Sequence, residues 1–224
     1  MRVAKVLLAA FLLLAFAAEG FSAVSCHCFN DRKFDPEAPF IADPFILATA
    51  RNTIAAVASG VDKGAIVKKR MTGSTEGDLW LGLFLAKETG VSAEALLSAR
   101  EKNPSWSAAL SAIPVDTGKF GKEFESARNA GNEEAMAAAL ADFAFTERFG
   151  QKQAEVSGLR TLGASTAETT LSLLLSKKTG KSPLDIFKET TSGKKSWGQL
   201  LDAAGIPAEI TGKSVTETFV PQNR

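Results

Sequence analysis

The chain has 224 residues, with 26 lysines and arginines against 25 aspartates and glutamates, one histidine and no tyrosine. A formal net charge of +1 provides no field to hold a polyanion, which argues against nucleic acid as a partner. A single imidazole and two cysteines leave few acid–base groups beyond carboxylates and lysines, and they exclude a disulfide framework.

Residues 1–23, MRVAKVLLAAFLLLAFAAEGFSA, have the layout of a secretory signal peptide. Arg2 and Lys5 precede an apolar run, Val6 to Phe16, and small residues follow it. The run is shorter than the roughly 20 residues a spanning helix needs, so the mature chain is expected to carry no membrane span. Removing residues 1–23 takes away two basic residues and one acidic residue, leaving a formally neutral chain. Ala23-Val-Ser25 ahead of Cys26 is a poor match to a lipidation signal.

Residues 24–42 lack a helical period and contain Pro36 and Pro39, which predicts an extended arm. Asp43-Pro44 reads as an N-cap followed by proline in the first helical position, and Gly60 as the stop of that helix. A short helix follows Asp62. Thr75 with Asp78 resembles a capping box ahead of LWLGLFLA, which is apolar nearly all round and therefore buried. Gly90 ends that helix, Ser92 caps the next, and Ser105 caps a short last one that stops at Ile113-Pro114. Phe120 and Phe124, four apart, predict a connecting helix over 116–132. Asn132 caps EEAMAAALADFAFTERF, and Glu133-Glu134 read as a solvated face or cap. The plan then recurs, with a box at Ser165 and Glu168, a stop at Gly180, starts at Ser182 and Ser196, and a stop at Ile206-Pro207. Residues 209–224 are polar and predict a flexible tail.

Sliding residues 71–100 onto 161–190 without a gap gives eight identities in thirty, among them Gly73/Gly163, Leu83/Leu173, Gly90/Gly180 and Ser92/Ser182. One inserted residue brings Trp106 onto Trp197. The matched positions have separate physical tasks, which points to an internal duplication. The expected fold is all-α, with two related helical halves, 43–115 and 133–208. Trp106 and Trp197 are read as structural anchors that lock the last helix of each half.

Cys26, His27 and Cys28 are the one concentration of chemistry. Thiolate and imidazole suit a soft metal ion such as zinc or copper, and Cys26–Cys28 is a candidate disulfide of the strained, easily reduced kind. No catalytic residues are assigned, because the single histidine sits inside the cysteine pair and no Ser-His-Asp set can form.

Cys26-His27-Cys28-Phe29, Phe34-Asp35-Pro36, Ala42-Asp43-Pro44 and the two Thr-Gly-x-Ser…Ser-Trp units together resemble uncharacterised exported bacterial proteins. The resemblance covers most of the mature chain. It implies export and an all-helical fold, and it implies no particular activity. The expectation is an exported, periplasmic or extracellular protein without enzymatic activity or cofactor, a binding or structural module of the cell envelope whose partner is an unknown protein, an envelope component or itself. The alternative is a redox-active or metal-handling protein that uses Cys26, His27 and Cys28.

Overall fold

The computed structural model describes residues 31–221. Every regular element among them is helical and no strand occurs, so the fold is all-α. Helix α1 is Asp43–Ser59 and α2 is Lys63–Met71. Helix α3 begins as Glu76–Leu79, passes through a π-helical stretch, Trp80–Phe84, and ends as Leu85–Thr89. Helices α4 (Ala93–Lys102) and α5 (Trp106–Ser111) follow, then a 3-10 turn, Gly118–Phe120, and α6 (Gly121–Asn129). Helix α7 is Glu133–Phe143 and continues as a second π-helical stretch, Ala144–Arg148. Next come α8 (Gln153–Thr161), α9 (Thr166–Thr179), α10 (Pro183–Thr191) and α11 (Trp197–Ala203). A 3-10 turn, Ala208–Ile210, leads into α12 (Thr211–Thr218).

The order of elements in α7–α12 is that of α1–α6. First residues lie 90 positions apart in every pair except α5 and α11, which lie 91 apart. Local chemistry recurs with the elements. Thr75 with Asp78, and Ser165 with Glu168, form capping boxes that start α3 and α9. Gly90 and Gly180 end the same helices at φ 75° and 74°, a left-handed conformation that side chains with a Cβ resist. The Arg70 guanidinium donates to the Ser74 carbonyl at 2.6 Å, and that of Arg160 to the Ala164 carbonyl at 2.8 Å.

Packing crosses the halves. Helix α1 lies against α9, α11 and α12, besides α2 and the π-helical part of α3, while α7 lies against α3 and α6. One hydrophobic core runs from Ala42 to Phe219, so the halves share an interior. The helix starts show the same exchange. The Asp43 carboxylate accepts from the backbone N–H groups of Trp197 (3.1 Å) and Gly198 (2.9 Å), which open α11. Glu133, 90 residues later, accepts from the Trp106 N–H at 2.9 Å, which opens α5. The first helix of each half therefore caps a helix of the other.

Three expectations change. Asp43 is the first residue of α1 rather than its N-cap, because its carboxylate serves α11 instead. The segment 209–224 is not a flexible tail through its described part. Val215 and Phe219, four apart, are fully buried, and Phe219 stacks edge-on with Phe145 and Phe149 at 5.8 and 5.6 Å. Finally, α6 does more than connect: Phe124 is fully buried and α6 packs along α7 as α12 packs along α1.

Candidate functional site

Cys26, His27 and Cys28 lie outside the described residues, as does the segment 1–23. Trp106 is fully buried, and its indole N–H donates to Asp78 Oδ1 at 3.0 Å, tying α5 to the start of α3. Trp197 is buried at the start of α11. Among the described residues no group of three or more metal-ligating side chains gathers, and no helix is long and apolar enough to cross a membrane.

A trough of about 650 Å3 lies where the starts of α3 and α7 meet the turn before α9. Its floor is made of small residues: Gly77 from α3, Ala135, Ala137 and Ala138 from α7, and Gly163 and Ala164 from the turn. Alanines at 135, 137 and 138 fall within a single turn of α7, so toward the trough this turn presents methyl groups rather than long side chains. Its edge carries Glu76, Glu133 and Glu134. Glu133 is engaged with the Trp106 N–H and, at 3.6 Å, with Arg100. Glu134 is exposed, and neither its side chain nor that of Glu76 makes a hydrogen bond or ion pair with the described residues. Acidic residues in the first turns of α3 and α7 complement the positive helix ends, which explains why they are tolerated together.

Arg160 lines the trough and also borders a second cleft of about 660 Å3 that contains Asp142, Thr146 and Ser157. Its Nε donates to Asp142 Oδ1 at 2.8 Å and its Nη2 to Thr166 Oγ1 at 3.3 Å. Burial pushes the Asp142 carboxyl above its ordinary value, against the opposing pull of Arg160. A perturbed carboxyl in a cleft is a recurrent mark of a functional site. Residues 31–221 contain no histidine or cysteine, so no Ser–His or Cys–His pair stands beside it. The arrangement can hold a polar group; it lacks a nucleophile with its base.

The sequence reading missed this site. Glu133-Glu134 were visible as a cap or solvated pair, and the alanine run after them was visible as helix. What was not visible is that α3 and the turn before α9 converge on that alanine face. Comparison with protein-family models, with curated proteins and with solved structures returns no match.

Proposed function

We propose that the chain is an exported, non-enzymatic helical module, periplasmic or extracellular, that binds another macromolecule through the trough along α7. The observation that carries this reading is the smooth floor of small residues edged by carboxylates that have no full complement of partners. Concave sites with a mostly apolar floor and a few polar groups are the usual form of a binding site. The signal-like leader and the resemblance to exported bacterial proteins supply the location.

A photo-crosslinking amino acid at Ala138, in the cell of origin, tests the reading. A discrete adduct formed from position 138 and absent when the probe replaces exposed Lys178 is the expected result. Equal labelling from both positions, or none from either, overturns it. The second reading, redox or metal handling at Cys26, His27 and Cys28, rests on the placement of both thiols and the only imidazole in three adjacent residues. Thiol titration with and without reductant, followed by metal analysis, decides it: two free thiols and no bound metal remove it.

A further inference from the structure

The two halves differ most tellingly where the trough lies. Position for position, 90 residues apart, the α1 counterparts of Ala135 and Ala137 are Phe45 and Leu47. Both are partly buried and packed against the common core. The first half thus fills with its own aromatic and leucine side chains the positions that the second half leaves as alanine. At the filled face the Arg32 guanidinium lies 5.9 Å from the centre of the Phe45 ring, and Phe34 from the same irregular segment reaches α11 at Gly198. An irregular segment that carries Arg32, Lys33 and Phe34 beside Asp31, Asp35 and Glu37 therefore already lies against one face, with a cation and an aromatic ring as its contacts. The unfilled face carries Glu76 and Glu134, carboxylates that suit a cationic side chain such as the one Arg32 supplies at the filled face.

Resting on the binding-module reading, we infer that the trough takes an extended basic segment of a partner protein. One large apolar side chain of that segment seats over Ala135, in the place that Phe45 fills in the other half. Its lysine or arginine side chains lie against Glu76 and Glu134. The small floor lets a partner backbone approach closely, and the carboxylates select the sign of its charge. Glu133 contributes little, because it is already committed to α5.

The test uses the mature full chain and two short synthetic peptides. One has a central phenylalanine flanked by lysines; the other has glutamates in place of the lysines. Backbone amide spectra should shift at Gly77, Ala135, Ala138 and Gly163 with the lysine peptide and not with the glutamate peptide. Glu134→Gln and Glu76→Gln should each weaken binding roughly two- to fivefold, as expected for partly exposed ion pairs, and added salt should weaken it further. Ala135→Phe, which copies the filled half, should abolish binding while leaving the helical circular dichroism intact. If Ala135→Phe fails to fold, the two glutamine variants carry the test alone. Equal binding of both peptides, shifts elsewhere on the surface, or no binding at millimolar peptide overturns the inference. So does a dimer in sedimentation that Ala135→Phe dissolves, which would assign the trough to a second copy. If position 138 still crosslinks in cells while both peptides fail, the occupant is wrong and the module reading stands.

Discussion

Asp43 and Glu133 are remote in sequence from the helix starts they complete, and each acts on a backbone that its own helix does not need. The Asp43 carboxylate meets two N–H groups of α11, so its loss leaves two donors without their acceptor. Asp43→Ala should cost about 1–2 kcal/mol, the usual worth of a helix cap, with Asp43→Asn recovering part of it. Urea midpoints measure this, and an unchanged midpoint for Asp43→Ala would show that water replaces the carboxylate. Glu88 is a different case. Its side chain is 1 % exposed at the end of α3 and takes both Arg148, at the end of α7, and Lys119. Burial pushes its carboxyl up, but the hydrogen bonds from Arg148 and Lys119 outweigh this and hold it below its ordinary value. A carboxyl with a lowered folded value stabilises the fold above its unfolded pKa and loses that contribution as pH falls through the folded value. The wild-type chain should therefore lose stability below roughly pH 4.3, and Glu88→Gln should lose less over the same range. At neutral pH the variant should be less stable by about 2 kcal/mol. Parallel stability–pH curves for the two proteins would remove Glu88 as the cause.

Elements whose ends are set by local chemistry were legible in the sequence. Thr75, Ser165, Gly90 and Gly180 mark α3 and α9 because capping boxes and left-handed glycines act within a few residues. The last helix was not legible, because its polar residues outnumber its apolar ones. Thr211, Gly212 and Ser214 are buried all the same, against α1, where small side chains allow close approach. Composition read those residues as tail; only the position of α1 makes them interior. The trough escaped for the same reason, since its three contributing segments are each separated by more than twenty residues and meet only in the fold. The clearest test at this scale is Phe219, which lies one residue beyond α12 and completes an aromatic triangle with Phe145 and Phe149. Phe219→Ala should cost about 3–5 kcal/mol, the range for a fully buried phenylalanine, whereas a frayed tail would lose nothing measurable. Thermal unfolding followed by circular dichroism separates the two outcomes.

For the molecule as a whole, the exchange of α1 and α7 bears on whether the halves can unfold separately. Each first helix packs against elements of the other half, and both halves feed one core. Loss of either half would expose the partner's apolar faces and strip the cap from α5 or α11. A single cooperative transition is therefore expected despite the repeated order of elements. The three tryptophans allow this to be read directly. Trp80 and Trp106 lie in the first half and Trp197 in the second, so Trp197→Phe places both the lesion and the lost fluorophore in the second half. The remaining fluorescence then reports only the undamaged half, while circular dichroism reports all helices. Replacing a buried tryptophan by phenylalanine should cost about 1–3 kcal/mol and lower the urea midpoint by on the order of 1 M. In a coupled molecule the fluorescence midpoint falls with the circular dichroism midpoint, because α1 cannot stay placed once α9, α11 and α12 are gone. In a molecule of two independent halves the fluorescence midpoint stays at the wild-type value and the circular dichroism splits into two steps.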